Sequence, residues 1–454
     1  MKKCRKLNNS SSLHQIPESN VFKCGDVFVL FGELFGRGYA TGLLDEARNV
    51  GMKIVGITVG RRGEDNALRP LNDEELAAAE ERLGGKVINI PLMAGFDLDA
   101  PEGGPTPTDF LAKMTIGSWE SDKLDWDYVA QCRDIAAERF TGALTEVMGV
   151  VDGMISEGQN VFFAHTMAGG IPKAKVFLVL ANRIYKGTGA RHMSSQALIE
   201  SDLGKLILQN FDAVSADTFG HLIDFSSAIR ERVEASGGQV RYIAYGYHGT
   251  EILIDGKYRW QTYTNYTQGY AKMRLEGIAE RAWVDGIKAS VYNCPEIRTN
   301  SSDVFTGIEL PLIPLLLALK KEGGKEWAEQ QWQACQALLV DDVTINDIIE
   351  KISAMQASDV MIPFYNFSAW PMPNSQAQAD LTIGTSHEIT QMHRDSNALI
   401  SDHLSKLVVE ATGQLIFRSS SAPSGPIQWL NHDIVARQLN ATHDAGPARP
   451  RSLR

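Results

Sequence analysis

The sequence predicts an α/β fold, in which a doubly wound parallel sheet has helices on both faces and is followed by a mainly helical C-terminal extension. Between residues 25 and 91, apolar runs of strand length alternate with helical patterns. Parallel sheets have this order because each crossover between parallel strands needs a helix. A glycine-rich turn also joins the first apolar run to the first helix. With 454 residues, 44% of them hydrophobic, the chain can bury a large core.

Apolar periodicity and turn residues predict the elements of the first 293 residues. A Pro- and Gly-rich segment, 92–127, interrupts the pattern and is predicted to be a long insertion, a kind of segment that is often functional. The predicted elements are, in order, strand 27–31, helix 40–50, strand 53–59, helix 73–84, strand 87–90, helix 128–156, strands 160–164 and 176–180, helices 201–214 and 218–235, strand 239–245, an irregular stretch to 266, helix 268–285 and strand 288–293.

The rest of the chain is predicted to be mostly helical, and the composition changes again at both ends. The predicted elements here are a helical segment 303–320, two helices within 325–357, a loop-rich stretch 358–385 and a helix 388–412. The predicted regions are a disordered arm (1–24), an α/β domain (25–325), a mainly helical extension (326–440) and a disordered tail (441–454).

The glycine-rich turn predicts a dinucleotide site. Gly32, Gly36, Arg37 and Gly38 lie in the run G-E-L-F-G-R-G, between the strand 27–31 and the following helix. Glycines in such a turn allow a tight bend, a close approach of phosphate to the backbone, and close packing of helix on strand. The N-terminus of the helix then donates N–H groups to a pyrophosphate. We therefore expect a Rossmann-like fold.

Two arginines predict the coenzyme. The second strand ends in Gly60-Arg61-Arg62, where a dinucleotide fold meets the adenosine ribose. A carboxylate at this place binds the 2′-hydroxyl of NAD(H), whereas an arginine accommodates the 2′-phosphate of NADP(H). Arg61 and Arg62 favour NADP(H) and leave NAD(H) open. The alternative is that both arginines are only solvent-exposed residues of a loop.

Composition excludes several classes of function. The net charge of −11 and the pI near 5.5 argue against nucleic acid or an anionic membrane as a partner. Five scattered cysteines without a C-x-x-C pattern fit a reducing cytoplasm. The basic N-terminus lacks the apolar run of a signal peptide, and the apolar segment Ile308–Leu319 is too short to span a membrane. We expect a soluble, cytoplasmic protein, and a homo-oligomer is allowed.

A group of tyrosines, a lysine and a proline motif follows in residues 239–302. Tyr247-His-Gly-Thr-Glu251 comes after a predicted strand, and Tyr263 and Tyr266 precede a predicted helix that carries Lys272. The next predicted strand ends in Cys294-Pro-Glu-Ile-Arg-Thr299. A phenol near an ammonium group is suited to stabilise and protonate an enolate.

These motifs, in this order, resemble those of the short-chain dehydrogenase/reductase superfamily, and within it the bacterial enoyl-acyl carrier protein reductases. Tyr247-His-Gly-Thr-Glu251 is similar to their Tyr-Leu-Gly-Ala-Glu, and Ile297-Arg-Thr299 to their Pro-Ile-Arg-Thr. Gly269-Tyr-Ala-Lys272 resembles the segment around their catalytic lysine, and the glycine turn resembles the superfamily's glycine motif. The resemblance covers roughly residues 25–325 and points to the large form with a C-terminal extension.

The resemblance implies NAD(P)H-dependent reduction of the carbon–carbon double bond of an enoyl thioester in fatty-acid or related lipid metabolism. The substrate would be an acyl thioester, with an acyl carrier protein or coenzyme A as the carrier. Lys272 would bind the nicotinamide ribose and favour the phenolate. Pro295, Ile297 and Thr299 would lie beside the nicotinamide.

The spacing to Lys272 leaves the identity of the acid open. The Tyr-x3-Lys spacing of most ketone-reducing relatives would need a tyrosine at Gln268, and the common enoyl spacing falls on Asn265. Tyr263 leaves eight intervening residues, as in a subset of bacterial enoyl reductases, and Tyr266 leaves five. Since nine helical positions rotate through 180°, Tyr263 must precede the helix. We predict Tyr263 as the acid, Tyr247 as a second phenol and Tyr266 as the alternative.

Two other functions compete with this interpretation. One is a ketone or 3-oxoacyl reductase of the same superfamily, and the other is a non-catalytic sensor that only binds NAD(P). No metal site is predicted, because His387 and His393 are six residues apart and so lie on different faces of a helix.

Overall fold

The computed structural model describes residues 10–18, 20–32, 34, 38–64, 66–261, 267–299, 302, 305–323 and 325–444. The strands within these ranges are β1 (Ser10–Ser12), β2 (Val27–Gly32), β3 (Lys53–Ile57), β4 (Arg61–Arg62), β5 (Leu68–Arg69), β6 (Lys86–Ile88), β7 (Val161–Thr166), β8 (Val240–Tyr245), β9 (Thr250–Ile254), β10 (Lys257–Gln261), β11 (Ala289–Asn293) and β12 (Ile427–Trp429).

The α-helices lie between and after these strands, and a π-helical turn, Ala213–Asp217, joins two of them. They are α1 (Tyr39–Val50), α2 (Asp73–Leu83), α3 (Pro107–Lys113), α4 (Trp126–Met154), α5 (Lys175–Lys186), α6 (Ser195–Glu200), α7 (Asp202–Asp212), α8 (Thr218–Phe225), α9 (Ser227–Ala235), α10 (Gly269–Val284), α11 (Glu309–Leu312), α12 (Leu315–Glu322), α13 (Lys325–Gln336), α14 (Ile345–Gln356), α15 (Gln376–Gln391), α16 (Ile400–Ser419) and α17 (His432–Asp444).

An eight-stranded parallel sheet forms the centre of the protein, in the order β1-β12-β11-β8-β7-β2-β3-β6. From β2 the chain first moves outward through β3 and β6, and it later returns to the other side of β2 with β7. Ligands of such sheets bind at the carboxyl ends of the strands beside this reversal. The predicted Rossmann-like, doubly wound sheet is confirmed. Two antiparallel pairs, β4–β5 and β9–β10, stand outside it.

Helices cover both faces of the sheet, and its strands are therefore buried on both sides. In β2, Phe28 and Leu30 belong to a core that they share with α1 and with helices of the C-terminal region. Val27, Val29 and Phe31 point to the opposite core, which α4, α8 and α10 complete. Continuous apolar runs are typical of parallel strands that are covered in this way.

One predicted strand is wrong. Residues 176–180 lie in α5, whose buried residues Val176, Phe177, Leu180, Ala181 and Ile184 recur with a helical period. A five-residue apolar run fits either a strand or one buried face of a helix, and its length alone does not separate the two.

Other predicted boundaries also need correction. The long helix predicted over 201–214 and 218–235 is divided into α7, the π-helical turn, α8 and α9, and α6 precedes them. The stretch predicted as irregular before residue 266 contains the β9–β10 hairpin. The helix predicted over 388–412 is replaced by α15 and α16, and the predicted insertion 92–127 contains α3.

Both ends of the chain contribute to the sheet, in contrast to the predicted division. The arm was expected to be disordered, yet β1 pairs with β12, and Phe22 is buried with its ring stacked on Phe162 at 4.8 Å. The C-terminal region supplies β12 between β1 and β11, and α17 extends to Asp444 inside the predicted tail. Both β1 and β12 are three residues long. Strands this short give little periodic signal, and their partners are distant in sequence.

The contact between α1 and α16 predicts a stability difference between two glycines. A methyl group at Gly42 would overlap the carbonyl oxygen of Val409 in α16, whereas a methyl group at Gly142 in α4 would meet no atom within 4 Å. Gly42→Ala should therefore lower the free energy of unfolding by about 1–3 kcal/mol, as overpacking does. Gly142→Ala should raise it by about 0.5–1 kcal/mol, because alanine favours the helix. Urea unfolding of both variants measures this difference, and equal effects would contradict the close helix contact.

Candidate active site

A cavity of about 210 Å³ opens at the carboxyl ends of the central strands, and we name it the strand-end cavity. Its walls come from the ends of β2, β7 and β8, the beginnings of α1 and α10, and the segment after β11. The lining residues include Gly38, Tyr39, His165, Tyr245, Tyr247, Gln268, Lys272, Glu296, Ile297, Thr299 and Phe305. The cavity therefore lies at the crevice that the strand order indicates.

The beginning of α1 fits the pyrophosphate of a dinucleotide. Gly38 is the N-cap, and among the described residues no side chain caps the helix. The first turn carries no acidic residue, and the space that a side chain at Gly38 would fill is open. The N–H groups and the positive end of the helix dipole can thus interact with an anion.

Gly32 is required by the geometry of the turn. Its φ is 126°, and an added Cβ would lie 2.6 Å from the backbone nitrogen of Met167. Glycine is needed here for the conformation and for the close approach of the chain after β7. Gly36 and Arg37, which the sequence also places in the coenzyme site, lie outside the described residues.

Lys272 lies in the first turn of α10 and reaches the strand-end cavity. Its Nζ donates a hydrogen bond to the carbonyl oxygen of Tyr245 at 2.8 Å, and the side chain is buried. Burial lowers the pKa of Lys272 to about 8. Since α10 begins at Gly269, Tyr263 precedes the helix, as its spacing requires. Tyr263 and Tyr266 both lie outside the described residues.

Tyr247 contacts a carboxyl group that the sequence did not single out. The Tyr247 hydroxyl donates to Oε1 of Glu296 at 2.8 Å, and both residues line the strand-end cavity. Burial raises the pKa of Glu296 to about 8, and the neighbouring Glu309 carboxylate acts in the same direction. The hydrogen bond from Tyr247 opposes this shift. Glu296 is therefore mainly the neutral acid at pH 7.

The raised pKa of Glu296 predicts a pH-dependent stability. In the unfolded chain Glu296 loses its proton near pH 4.5, whereas in the folded protein it keeps the proton to about pH 8. Stability is thus lost as the pH rises through this window, because the folded state binds the extra proton. Glu296→Gln removes this dependence. The free energy of unfolding of the variant, relative to that of the wild type, should therefore rise by about 2–5 kcal/mol when the pH is raised from 5 to 8.5. Urea unfolding at both pH values measures the gain, and a constant difference would show that Glu296 is ionised.

The segment after β11 is tied to α1 beside the cavity. The Tyr39 hydroxyl donates to the carbonyl oxygen of Pro295 at 2.6 Å, and the N–H of Thr299 donates to Oγ of Ser302 at 2.7 Å. Ile297 and Thr299 line the cavity. The structure thus brings this predicted segment together with Lys272 and Tyr247 at one site.

The two arginines after β3 have different surroundings. Arg62 is 10% exposed, lies 3.5 Å from the Asp99 carboxylate, and donates to the carbonyl oxygen of Asn66 at 2.8 Å. The Arg61 side chain is exposed. Neither arginine is among the residues that line the strand-end cavity. Arg62 is therefore engaged with protein groups, and Arg61 has the more accessible guanidinium.

The family model described as "Enoyl-acyl carrier protein reductase FabMG" matches residues 9–439. The chain belongs to this family of enoyl-acyl carrier protein reductases. It is 64% identical to the protein in a solved apo structure of FabMG, over 96% of this chain and 98% of that chain, with a TM-score of 0.93. It is 56% identical to a FabMG in an NADH-bound structure, over 95% and 99%, with a TM-score of 0.77. No curated protein matches the chain.

Membership of the FabMG family confirms the predicted class of function. The protein is an NAD(P)H-dependent oxidoreductase that reduces enoyl thioesters in fatty-acid metabolism, and its substrate class is the acyl-acyl carrier protein thioester. The open N-terminus of α1 and the buried ammonium group of Lys272 fit a dinucleotide coenzyme.

Several residues that line the strand-end cavity were missed from the sequence. Tyr39 and Tyr245 line the cavity with rings stacked at 5.4 Å, and the buried Tyr245 hydroxyl has no hydrogen-bond partner among the described residues. His165 also lines the cavity, and burial lowers its pKa to about 3, so it is neutral. Glu296 could have been found, because it interrupts the Pro-Ile-Arg-Thr motif. The other three residues have no comparable signal.

Over the part of the chain that the structure describes, no helix is long and apolar enough to cross a membrane. Across the same residues, no group of three or more His, Cys, Asp and Glu side chains is placed to hold a metal ion. His393 instead accepts the N–H of Ile400 at its Nε2, at 3.2 Å.

Proposed function

We propose that Tyr263 is the acid of this reductase, with Lys272 as the residue that binds the coenzyme ribose and favours the phenolate. Tyr247 is proposed as a second phenol beside the thioester, and Tyr266 as the alternative acid. The observation that carries the proposal is the buried ammonium group of Lys272 in the strand-end cavity, which Tyr247 also lines. The start of α10 at Gly269 supports Tyr263, because the eight-residue spacing requires this tyrosine to come before the helix in the sequence.

The chemistry assigns a task to each group. When bound, NAD(P)H supplies a hydride to the β-carbon of the enoyl thioester. Negative charge then develops on the thioester oxygen, where a phenol O–H stabilises it and provides the proton for the α-carbon. The Lys272 ammonium favours the phenolate that remains after proton transfer.

The coenzyme is proposed to lie between two segments. The N-terminus of α1 with Gly38, together with the turn that contains Gly32, Gly36 and Arg37, would hold the pyrophosphate. Pro295, Ile297 and Thr299 would flank the nicotinamide.

The presence of Gln268 supports an enoyl thioester, and not a ketone, as the substrate. This glutamine occupies the position at which a ketone reductase of the superfamily would carry its acid, and its Nε2 donates to Oγ of Ser215 at 2.9 Å. An amide has no proton to give at neutral pH.

A comparison of two substrates tests this choice. The kcat/KM for a crotonyl thioester should exceed that for the matching 3-oxobutyryl thioester by at least about 100-fold, the contribution of a positioned acid. Faster reduction of the 3-oxo compound would favour the ketone reductase.

Coenzyme choice is proposed to depend on Arg61, with NADP(H) accepted and NAD(H) as the alternative. Arg61→Ala should raise the Kd of NADPH by about 10- to 100-fold, because one charge-assisted contact contributes about 1.5–3 kcal/mol. Arg62→Ala is the matched control, since Arg62 contacts Asp99 instead. Calorimetric titration with NADPH and NADH measures both. Equal losses for the two coenzymes, or a wild type that binds NADH alone, would contradict the NADP(H) assignment.

A further inference from the structure

One segment of this acidic protein contains no acidic residue. Residues 158–199 have no Asp or Glu, although the chain has 55 such residues in 454 and a net charge of −11. At that average, about five would be expected in a segment of this length. The same segment carries five basic residues, Lys173, Lys175, Arg183, Lys186 and Arg191. It is therefore a local region of positive charge.

The solvent face of α5 lies within this segment and combines positive charge with exposed apolar groups. Lys175, Leu178, Val179 and Asn182 are exposed and follow the i, i+3, i+4, i+7 spacing of one helix face. Leu178 is 60% exposed and Val179 is 39% exposed. With the exposed Lys173, these residues form what we name the α5 patch. Among the described residues, no carboxylate forms an ion pair with Lys173 or Lys175.

The opposite face of α5 contacts the segment that leads into α10. The Tyr185 hydroxyl lies 2.8 Å from Oγ1 of Thr267, two residues before the start of α10. The residues His165–Ala168 line the strand-end cavity, and only four residues separate Ala168 from Lys173. The acidic Asp380 lies at the other end of α5, where its Oδ1 accepts the N–H of Gly189. The helix that carries the α5 patch is thus joined to two segments beside the cavity, and the basic residues of the patch lie at its N-terminal end.

We propose that the α5 patch docks the protein that carries the acyl group, an acidic partner that presents its surface to Lys173 and Lys175 and a small apolar contact to Leu178 and Val179. This inference rests on the proposed function, because it assumes a thioester delivered by a carrier protein. Complementary charge speeds the encounter of two proteins, and a small apolar centre with a charged rim suits a transient complex. A second copy of the chain that paired symmetrically through this surface would bring two basic patches together, so charge favours the acidic carrier as the occupant.

Charge reversal with two substrates tests the docking surface. The double variant Lys173→Glu/Lys175→Glu should lower kcat/KM for an enoyl-acyl carrier protein by at least about 10-fold. With the enoyl thioester of N-acetylcysteamine, which has no carrier protein, kcat/KM should stay within about twofold of the wild type. Leu178→Ser should show the same split. Added salt should lower the wild-type rate with the carrier protein and have little effect on the double variant.

A matched control lies at the other end of the sheet. Lys23 and Lys53 are exposed, and Lys53 is the first residue of β3. Lys23→Glu/Lys53→Glu therefore makes the same change in charge near the amino ends of the strands, away from the cavity. This control should leave both substrates unaffected. The proposal is overturned if the α5 variants lose activity equally on both substrates, if the control matches their loss on the carrier substrate, or if they change only vesicle binding or oligomeric state. A wild type that reduces neither thioester would overturn the proposed function itself.

Discussion

Lys272→Met is expected to lower kcat/KM for an enoyl thioester by about 10²- to 10⁴-fold. The substitution keeps an apolar chain of similar length and removes the buried ammonium group that lies 2.8 Å from the Tyr245 carbonyl oxygen. Two charge-assisted contacts are lost, one to the coenzyme ribose and one to the phenolate, and each contributes about 1.5–3 kcal/mol. Steady-state kinetics and calorimetric titration with NAD(P)H measure the two losses separately.

The control for this substitution is Lys288→Met. The Nζ of Lys288 lies 4.2 Å from the centre of the Trp283 ring. Lys288 directly precedes β11, so it lies at the amino end of that strand, away from the cavity. Its replacement should leave kcat/KM within about twofold of the wild type. A folded Lys272→Met enzyme with near wild-type turnover would exclude the proposed role. Turnover that is lost while coenzyme binding is partly kept would argue against a non-catalytic sensor.

Tyr263→Phe is expected to lower kcat by about 10²-fold or more, the usual effect of removing a positioned acid. Coenzyme affinity should not change, since the phenyl ring remains and only the hydroxyl is lost. The reason for choosing this tyrosine is its eight-residue spacing to Lys272 and the start of α10 at Gly269. Rapid-quench measurement of the reduced product, with saturating coenzyme, separates chemistry from product release.

The other tyrosines provide matched controls for Tyr263. Tyr247→Phe should have an intermediate effect, because its hydroxyl also donates to Glu296 at 2.8 Å, and Tyr266→Phe should be mild. An inactive Tyr266→Phe beside an active Tyr263→Phe would show that the spacing argument is wrong. Wild-type rates in all three variants would reject a tyrosine as the acid.

The sequence predicted those parts of the fold that local patterns determine. The apolar runs of β2 and β7 and the lysine of α10 carry a periodic or motif signal. By contrast, β1 and β12 are three residues long and form only when the two ends of the chain meet. The apolar run in α5 was assigned to a strand because its helical period becomes visible only over a longer window.

The site was predictable to a similar degree. Lys272 and Tyr247 were singled out from their motifs, and Tyr247 also follows a predicted strand at the end where ligands bind. The structure places both residues in the wall of the strand-end cavity. The contact of Tyr39 with the Pro295 carbonyl oxygen and the pairing of Arg62 with Asp99 depend on the folded arrangement. No spacing in the sequence reports such contacts. Glu296 is different, because its place inside a known motif was a usable signal.

The most direct measurement follows the oxidation of NADH and of NADPH by purified protein with crotonyl and dodecenoyl thioesters, with mass spectrometry of the product. The account predicts oxidation that depends on the thioester and yields the saturated acyl chain with an intact thioester. Binding of coenzyme without oxidation, or reduction of the carbonyl group in place of the double bond, would contradict it.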